Sequence, residues 1–380
     1  MFASKQIVDP LSSLARAAFE SAHALVPLKS LRESFLEHLF LNVEVQSVGH
    51  GEVIFEHSTY DNQYVFLQAG QVELRFPSGH IERIDAGVSF AALSHYQPRR
   101  CKATAISDCT VLRVDEDLLD QTLSWSQMTD FLLSELALDR SFDKEIEWMQ
   151  TVLNSNLFFK VPSINAEQIF RKMHAVEVQA GDRIIEQDDI GDCCYILTSG
   201  WADILKRRDD GSEQKIAEIS TGRCFGEDAL VNQSVRNASV RMGCDAVLKR
   251  LDKSDFLLLA KEPAAEEIDA SDLDVPDSEF ILLDARTEEE YQQGHLAFSA
   301  NIPLGLLAMK KRLLSPEKLY VMYCDTGRRS RAAAHFLGKE GYNVIAIKNG
   351  LQGQNMTDRL VVEAGYILRN GELVTSGSVE

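Results

Sequence analysis

Two stretches of the chain repeat the same pattern of apolar and polar positions, 130 residues apart. Residues 51–74 read GEVIFEHSTYDNQYVFLQAGQVEL, and residues 181–204 read GDRIIEQDDIGDCCYILTSGWADI. In both, short apolar runs alternate with turns that contain Gly and Asp or Asn, which predicts short antiparallel strands in a sandwich or barrel. The two stretches align without a gap, and the identical pairs include Gly51 with Gly181, Glu56 with Glu186, Leu67 with Leu197 and Gly70 with Gly200.

Helical patterns follow each copy. Residues 115–150 place apolar side chains at i, i+3 and i+4, which predicts helix between the two copies. Residues 251–263 predict a short amphipathic helix that ends at Pro263. The next segment, 264–278, is acidic and poor in bulky residues, and we interpret it as an interdomain linker.

The pattern changes near residue 267 to an alternation of strands and helices. The Ala-rich segment 329–341 predicts a helix that ends at Gly341. Such an alternation predicts a small α/β domain with a parallel sheet, and its site should lie at the carboxyl ends of the strands. Three apolar runs are typical of its buried strands: 280–285, 318–324 and 343–348.

The composition favours a protein of several domains. The chain has 380 residues, of which 45% are hydrophobic and 26% are charged, so about two to four packed domains are expected. The formal net charge of -19 disfavours binding to nucleic acid or to an anionic membrane by general electrostatic attraction. A local basic pocket for a small anion remains compatible with that charge.

The chain carries no recognisable targeting or metal-binding pattern. Its first residues do not resemble a signal peptide, and no apolar run approaches the ~20 residues that a bilayer requires. We therefore expect a cytoplasmic protein without a membrane partner. The seven cysteines include no C-x-x-C pair, so we expect neither a zinc site nor a dithiol redox motif, and no metal.

The second copy contains residues suited to binding a phosphate. Gly226 allows a close backbone approach, and a short helix starting at Glu227 would direct N–H groups at an anion. Arg236 can add a charge-assisted contact, and Glu227 can accept a hydrogen bond from a ribose hydroxyl. Ala238 is small, and Ser239 offers a hydroxyl. A solvated Glu and Arg in an ordinary loop could have the same spacing, so the spacing alone leaves both interpretations open.

The order of these residues resembles the phosphate-binding cassette of cyclic nucleotide-binding domains, F-G-E-x-A-L-x(5)-R-x-A-[ST]. The resemblance covers about residues 155–262, and the matching positions are Phe225, Gly226, Glu227, Ala229, Leu230, Arg236, Ala238 and Ser239. It implies that Arg236 holds the cyclic phosphate and Glu227 the ribose 2′-hydroxyl. It also implies that Gly226 and Ala238 supply backbone amides.

The same resemblance bears on the identity of the nucleotide. Asn237 lies where the base preference of the family is partly set, and an Asn could serve either purine. We expect cAMP rather than cGMP as the regulatory ligand, because cAMP is the commoner of the two. The sequence departs from the family at Asp188, where a turn usually has Gly, and at Val235, where Pro is common.

The first copy lacks both charged anchors when it is placed in the same register. Arg99 and Arg100 lie close by but one or two positions out of register, which would turn a side chain to the wrong face. We interpret residues 20–125 as a degenerate, non-binding copy with a role in packing or dimerisation; the alternative is that Arg100 rescues binding. The register sets Ala91 opposite Gly226, Ala92 opposite Glu227, Cys101 opposite Arg236, and Ala103 and Thr104 opposite Ala238 and Ser239.

A cysteine ends the second predicted strand of the α/β domain. Cys324 is followed by the short loop Asp325-Thr326-Gly327, which leads into the helix that begins Arg328-Arg329-Ser330. The loop amides, the helix N-terminus and the two arginines would favour a thiolate. These features suit a nucleophilic cysteine that accepts an atom from an anionic donor, and a buried structural cysteine is the alternative.

The motif C-x-x-G-x-R-S resembles the active loop of rhodaneses. Residues 282–303, LLDARTEEEYQQGHLAFSANIP, extend the resemblance through Asp284, Arg286, Glu290, Tyr291, Gly294, His295 and Asn301. The resemblance spans about residues 267–365 and implies transfer of sulfane sulfur through a persulfide on Cys324, from a small anionic donor such as thiosulfate to a thiol acceptor. It implies that Arg329 and the loop amides orient the donor.

Three further expectations follow from the rhodanese resemblance. Asp284 and Arg286 should form a buried ion pair, and His295 should be structural rather than a general base. Thr326, Gly327, Arg328 and Ser330 belong to the candidate site with Cys324.

Cell-cycle phosphatases share the fold but have one more loop residue, so the six-residue loop favours sulfur over a phosphoryl group. A phosphatase or arsenate reductase remains the alternative chemistry.

The sequence therefore predicts a multidomain α+β and α/β protein. Residues 1–150 form a degenerate cyclic nucleotide-binding-like domain with helices, 151–266 a second β-sandwich or jelly-roll domain of that type, and 267–380 a small rhodanese domain. The predicted function is a cyclic nucleotide-responsive sulfurtransferase, and a homodimer is allowed for. The alternative is a nucleotide sensor whose rhodanese domain docks a partner or carries sulfur with little turnover. A DNA-binding regulator is disfavoured, because no basic helix pair follows residue 263.

Overall fold

The described residues of the computed structural model fall into two compact units. One unit combines residues up to 126 with 266–304 and those from 310 onward, and the other combines 127–265 with 305–309. No helix among the described residues is both long and apolar enough to cross a membrane. The structure describes residues 13–87, 92–93, 97–138, 146–153, 155, 157, 160–208, 210–262, 266–274, 280–352, 356–362 and 365–375.

The first copy of the repeat is a sandwich of two antiparallel sheets preceded by helices α1 (Ser13–Ala22) and α2 (Glu33–Phe40). Its strands are β1 (Glu44–Val48), β2 (Val53–Phe55), β3 (Gln63–Ala69), β4 (Gln71–Arg75), β5 (Ile81–Asp85), β6 (Lys102–Ala105) and β7 (Cys109–Asp115). The sheet orders are β1-β7-β3 and β2-β6-β4-β5. Alternate residues such as Val65, Leu67, Val72 and Leu74 fill the core between the sheets, as the apolar alternation predicts.

Among the described residues between the copies, the α-helices are α3 (Glu116–Leu138), α4 (Ile146–Leu153) and α5 (Ala166–Lys172). The second copy then repeats the sandwich with sheet orders β13-β10-β15-β8 and β12-β11-β14-β9. Its elements are β8 (His174–Val178), β9 (Arg183–Ile185), β10 (Cys193–Leu197), β11 (Trp201–Arg207), β12 (Glu213–Ser220), β13 (Cys224–Phe225), α6 (Glu227–Val231), β14 (Ser239–Met242), β15 (Ala246–Asp252) and α7 (Lys253–Leu259). The predicted internal repeat is confirmed, since both sandwiches use the same strand order. Pro263, predicted to end the last helix, lies outside the described residues.

Strand pairing corrects the register predicted for the first copy. Leu74 pairs with Ala103 in the first copy, and Ile204 pairs with Val240 in the second. Because Leu74 and Ile204 are equivalent in the repeat, Ala103 corresponds to Val240. The equivalents of Ala238 and Ser239 are therefore Cys101 and Lys102, and the predicted matches with Ala103 and Thr104 are wrong.

The same correction places Arg99 where the second copy has Arg236, so the predicted match of Cys101 with Arg236 is also wrong. Only twelve positions separate Gly87 from Arg99, whereas fourteen separate Gly222 from Arg236, and an ungapped register cannot reveal that difference. Ala91 lies outside the described residues. The backbone hydrogen bonds of the two arginines support this equivalence. In the first copy, Arg99 N donates to Thr59 O at 2.9 Å and Ser58 N donates to Arg99 O at 2.8 Å. In the second copy, Arg236 N donates to Asp189 O at 2.8 Å and Asp188 N donates to Arg236 O at 2.9 Å.

The C-terminal domain is built on a seven-stranded sheet in the order β16-β21-β20-β17-β19-β23-β24, parallel except for the last pair. Helix α10 packs its buried alanines against this sheet. The elements are β16 (Glu267–Ile268), β17 (Phe280–Asp284), α8 (Glu288–Gln293), β18 (His295–Leu296), β19 (Ser299–Asn301), α9 (Leu307–Lys310), β20 (Leu319–Tyr323), α10 (Arg328–Lys339), β21 (Asn343–Ile347), β22 (Leu360–Val361), β23 (Tyr366–Arg369) and β24 (Glu372–Thr375). The predicted strands and helix of this domain are confirmed.

The described part of the acidic segment 264–278, residues 266–274, contains regular secondary structure. Its residues Glu267–Ile268 form β16, which pairs in parallel with β21 at the edge of the sheet. A 3-10 helix, Ala270–Asp274, follows. The linker prediction is wrong for these residues, because acidic composition does not prevent a short edge strand from joining a sheet whose other strands supply the core.

Candidate functional site

The loop after β20 wraps around the sulfur of Cys324. Gly327 adopts a left-handed backbone with φ of +94° and precedes the first residue of α10. This turn lets the backbone N–H of Gly327 donate to Cys324 Sγ at 3.1 Å. The hydroxyl of Ser330, one turn into α10, lies 3.6 Å from the same sulfur and donates to Gly327 O at 3.1 Å. Two of the predicted residues, Gly327 and Ser330, therefore converge on the sulfur.

The base of the loop rests on the segment that follows β21. The backbone N–H of Leu351 donates to Cys324 O at 2.8 Å, and that of Gln352 donates to Asp325 O at 3.0 Å. A Cβ on Gly350 would lie 2.1 Å from Cys324 O, so only glycine allows the approach. This contact fixes the position of the thiol relative to the sheet.

The Cys324 thiol is fully buried, with 0% of the residue exposed. Burial raises the pKa of the Cys324 thiol above its ordinary value; the Arg329 guanidinium lowers this pKa in part, while the Asp120 carboxylate raises it further. The prediction of an easily ionised thiolate is therefore wrong for the arrangement in the structure. The loop donors are present as predicted, but desolvation outweighs them.

Arg329 is buried and held by carboxylates of its own domain. Its Nη1 and Nη2 donate to the two oxygens of Glu290 at 2.7 and 2.9 Å, and Nη2 also lies 3.2 Å from Asp325 Oδ2. Burial opposes the ionisation of Glu290, but the charges of Arg329 and Arg286 outweigh it and lower the pKa of Glu290 to about 2. The two-pronged pair fixes the plane of the guanidinium directly behind the loop.

The predicted ion pair of Asp284 and Arg286 is confirmed and extends to the loop. Arg286 Nη2 donates to Asp284 Oδ2 at 2.8 Å, and its Nη1 donates to Asp325 Oδ1 at 3.2 Å. His295 is buried, its Nδ1 lies 2.9 Å from Tyr291 O, and its ring stacks on the Tyr291 ring. These contacts agree with the structural role expected for His295.

The outer side of the loop is covered by the first turn of α3, which belongs to the first copy of the repeat. Asp120 accepts hydrogen bonds from the Thr326 hydroxyl and, at 3.1 Å, from Arg328 Nη1. Arg328 Nη2 donates to Asp117 Oδ1 at 3.1 Å. Two carboxylates of the first copy therefore engage the loop that holds the candidate nucleophile.

A third acid of the same turn completes this cover. Glu116 accepts from Gln352 Nε2 at 2.5 Å. Burial raises the pKa of Glu116 to about 7; the hydrogen bond from Gln352 lowers it in part, and the charges of Asp325, Asp120 and Asp117 raise it. Sequence reasoning missed this group, because the only signal is an acidic helix start that lies about 200 residues before the loop in sequence.

The cassette of the second copy has the backbone form that its sequence predicts. Gly226 has φ of +84° and is followed by α6, which begins at Glu227. A Cβ on Gly226 would lie 2.8 Å from both Arg236 Nη1 and Ile185 Cδ1, so the glycine keeps a cradle open beside the arginine. Burial raises the pKa of the Glu227 carboxyl. The cradle, the carboxyl and the arginine fit a small anion linked to a hydroxyl-bearing ring.

Arg236 is buried and oriented by backbone carbonyls. Its Nη1 donates to Gly226 O at 2.6 Å, and its Nη2 donates to Cys193 O at 2.7 Å. The side chain of Asp192 lies 3.2 Å from Nη2. The arginine is therefore fixed between β10 and the turn at Gly226, which a ligand phosphate would approach.

The other predicted cassette residues have different surroundings. Ser239 Oγ accepts from Gln187 N at 2.9 Å and donates to Glu186 at 3.1 Å, so it ties β14 to the preceding turn. Asn237 is exposed, and Ala238 is half-buried beside it. Asp188, where the family has Gly, adopts φ of +75°, the left-handed conformation that favours glycine.

Arg99, the counterpart of Arg236 in the first copy, forms an ion pair within that copy. Its Nη2 lies 2.5 Å from both Asp61 Oδ1 and Gln63 O, and its guanidinium stands over the Phe55 ring at 4.6 Å. Sequence reasoning missed this equivalence. The non-binding character of the first copy stays a prediction.

The chain matches the profiles of two known domain families. Residues 45–124 and 175–262 each match the profile of the cyclic nucleotide-binding domain, and residues 264–356 match that of the rhodanese-like domain. The chain therefore combines two cyclic nucleotide-binding domains with one rhodanese-like domain. This confirms the predicted order of domain types.

Individual relatives resemble parts of the chain. It is 25% identical over 211 residues to a cAMP-dependent protein kinase regulatory subunit of Mucor circinelloides f. lusitanicus, covering 53% of this chain and 45% of that one. A 76-residue stretch is 40% identical to a probable molybdopterin-synthase adenylyltransferase of Porphyra purpurea, covering 19% of each. The chain spans about half the length of the kinase regulatory subunits it matches first.

Two solved structures match part of the chain at low identity. A cAMP-bound mutant of the regulatory subunit of a cAMP-independent protein kinase A from Trypanosoma brucei is 16% identical. That alignment covers 66% of this chain and 89% of the other, with a TM-score of 0.29. The cAMP-bound regulatory domain of Toxoplasma gondii PKA is also 16% identical, covers 66% and 94%, and has a TM-score of 0.28.

Proposed function

We propose that this protein is a sulfurtransferase that responds to a cyclic nucleotide. In the first step, the Cys324 thiolate attacks the outer sulfur of a small anionic donor such as thiosulfate. A sulfur–sulfur bond forms to Cys324, the donor's sulfur–sulfur bond breaks, and sulfite leaves with the electron pair. In the second step, a thiolate acceptor takes the outer sulfur, and Cys324 leaves as a thiolate.

The convergence of loop donors on Cys324 Sγ carries this proposal. The N–H of Gly327 at 3.1 Å and the Ser330 hydroxyl at 3.6 Å can stabilise negative charge on the sulfur or on a persulfide. Arg329 acts through its charge and by positioning, because Glu290 occupies its amino groups. Thr326 and Arg328 lie at the outer side of the loop, where they can receive the anionic donor.

The second cyclic nucleotide-binding domain is the proposed regulatory site. Arg236 would contact the cyclic phosphate, Glu227 the ribose 2′-hydroxyl, and Gly226 the phosphate through its backbone. Ala238, Ser239 and Asn237 would line the same ligand. We infer cAMP rather than cGMP, and the names of the matched kinase regulatory subunits support that choice.

The seven cysteines are all free, which supports a reducing compartment such as the cytoplasm.

Regulation would require two states in which the thiol differs in accessibility. The proposed moving element is α7, which follows the second sandwich and precedes the C-terminal domain along the chain. A ligand can shift such an equilibrium only by its difference in affinity for the two states. The Arg236 cassette would provide that difference if its closure around the nucleotide moves α7.

A nucleotide sensor without useful turnover is the second candidate. The buried Cys324 thiol and its raised pKa favour it, because a thiol in this state is a poor nucleophile. In that case, the rhodanese-like domain would dock a partner or carry sulfur. The two candidates differ in whether Cys324 takes up sulfur from a donor.

Persulfide trapping separates the two candidates. The full-length protein is incubated with thiosulfate, alkylated after brief unfolding, and analysed by peptide mass spectrometry. The sulfurtransferase proposal predicts a peptide in which Cys324 carries one additional sulfur atom. Cys324→Ser should lose the signal, and Cys244→Ser, a change at a half-buried cysteine of the second sandwich, should keep it. A Cys324 that stays unmodified in the wild-type protein both with and without cAMP would reject sulfur transfer and leave the sensor as the remaining candidate.

A further inference from the structure

The first two turns of α3 place three carboxylates on the outer side of the sulfur loop. Glu116, Asp117 and Asp120 belong to the first cyclic nucleotide-binding domain, which shares a compact unit with the rhodanese-like domain. Glu116 and Asp120 are buried, with 5% and 4% of each residue exposed. Acids in the first turn of a helix are common, but burial of two of them against another domain is costly unless the partner supplies donors.

The partner donors are the loop groups that an anionic substrate would use. Asp120 accepts from the Thr326 hydroxyl and from Arg328 Nη1, and its second oxygen, Oδ1, lies 3.9 Å from Arg329 Nε. Among the described residues, neither Asp120 Oδ1 nor Arg329 Nε has a hydrogen-bond partner. The Asp120 carboxylate therefore lies among Arg328, Arg329 and the Thr326 hydroxyl but leaves Arg329 Nε without a hydrogen bond. An anion that fits the loop better would make this bond as well.

The sulfur of Cys324 is also closed to solvent in this arrangement. Cys324 is fully buried beneath the loop, although the proposed reaction needs access for a donor and an acceptor. A negative charge at Asp120 also opposes the approach of thiosulfate and the formation of a thiolate. Both effects act in the direction of a closed, inactive site.

We propose that the first cyclic nucleotide-binding domain is an autoinhibitory cover of the sulfur site, in which Asp120 occupies the position of the anionic sulfur donor. This inference rests on the proposed sulfur transfer for its biological meaning, but the closed site can be tested without turnover. The role of the first domain is then inhibition by contact. Release of α3 from Thr326 and Arg328 opens the site to donor and acceptor.

Two alkylating reagents of different charge test the cover on the full-length protein. Iodoacetamide is neutral and iodoacetate is an anion, and both react with the same thiol; peptide mass spectrometry gives the rate at Cys324. In the wild-type protein, the iodoacetate-to-iodoacetamide rate ratio should be at least about tenfold lower than for glutathione. A ratio equal to that of glutathione would overturn the proposal, and this measurement needs no variant.

Asp120→Asn tests the residue itself. It removes the charge and keeps the size, so alkylation by iodoacetate should accelerate by about tenfold or more, and by more than alkylation by iodoacetamide. Glu218→Gln removes a carboxylate that pairs with Lys215 at 2.7 Å on β12 of the second sandwich, and it should leave both rates unchanged. Equal rates in Asp120→Asn and wild type, with both folded by circular dichroism, would refute the inhibitory role.

The outcomes of the two proposals can be distinguished. Predicted alkylation rates without any persulfide on Cys324, in the uncovered Asp120→Asn as well as in wild type, would support the cover and reject sulfur transfer. Persulfide formation that is equally fast in wild type and Asp120→Asn, together with an unchanged reagent ratio, would support sulfur transfer and reject the cover.

Discussion

Two buried arginines determine the geometry of the two candidate sites. Arg329 is held by Glu290 behind the sulfur loop, and Arg236 is held by backbone carbonyls in the nucleotide cassette. A planar guanidinium fixed by two acceptors is oriented before any ligand arrives, which lowers the entropic cost of binding. The residue-scale predictions therefore concern what happens when each arginine or its partner is removed.

Glu290→Gln should destabilise the rhodanese-like domain by about 3 kcal/mol at pH 7, because the buried Arg329 loses its counter-charge. The pKa of Glu290 is lowered from 4.5 to about 2, so its contribution is present above pH 4.5 and is lost only as pH falls toward 2. Denaturant unfolding at several pH values measures this. Glu288→Gln, on the exposed side of α8, is the control, and an equal effect of both changes would contradict the account.

Arg236→Ala should abolish binding of a cyclic nucleotide to the second domain, because Arg236 is the buried cation that donates to Gly226 O at 2.6 Å, beside the proposed phosphate position. Arg236→Lys should recover little, because a lysine cannot make both carbonyl contacts. Isothermal titration with cAMP measures the affinity. Arg241→Ala, which changes an exposed arginine of β14, should bind as wild type, and undiminished affinity in Arg236→Ala would remove the cassette assignment.

At the scale of elements, the sulfur loop depends on a strand–loop–helix unit supported from below by the segment after β21. Gly350 is the point of closest approach, and its backbone allows Leu351 to bond to the carbonyl of Cys324. The loop is therefore not positioned by its own sequence alone. Its geometry should fail when the supporting segment is displaced.

Gly350→Ala should destabilise the domain by about 2 kcal/mol or more, because the new Cβ would meet a backbone carbonyl at 2.1 Å and the φ of +52° disfavours alanine. Gly338→Ala is the matched control within α10, where a Cβ meets nothing within 4 Å. That change should stabilise the helix by up to about 1 kcal/mol. Thermal unfolding of both variants measures the difference, and opposite signs are expected.

The elements also show what sequence patterns can and cannot reveal. The repeat and the strands of the α/β domain were predictable, because apolar alternation and apolar runs follow directly from which faces are buried. The register of Arg99 was not, because two missing residues within the first cassette shift every later position. The edge strand Glu267–Ile268 was missed because its pairing partner, not its own composition, makes it a strand.

At the scale of the whole molecule, the first cyclic nucleotide-binding domain and the rhodanese-like domain belong to one compact unit. The contact of Asp120 with Thr326 joins residues 206 positions apart. Such a contact has no local sequence signal, since nothing near Asp120 distinguishes it from an ordinary acidic helix start. The loop itself could be predicted from its motif, but its cover could not.

The cover should loosen as pH rises. The pKa of Glu116 is raised from 4.5 to about 7, so the closed arrangement is favoured fully below pH 4.5 and loses this stabilisation as pH rises through about 7. Between pH 5 and 8, Cys324 alkylation by iodoacetamide in wild type should therefore rise by about tenfold relative to Glu116→Gln, which keeps the contact with Gln352 but cannot titrate. A constant ratio between the two proteins across this range would rule out a role of Glu116.

The most direct test of the central claim is thiocyanate formation from thiosulfate and cyanide by the full-length protein, measured with and without cAMP. The account predicts turnover in wild type that changes when cAMP is added, turnover in Arg236→Ala that does not respond, and none in Cys324→Ser. Thiocyanate formed by wild type at the same rate with and without saturating cAMP would contradict regulation by the nucleotide. Formation that survives in Cys324→Ser would contradict the proposed chemistry.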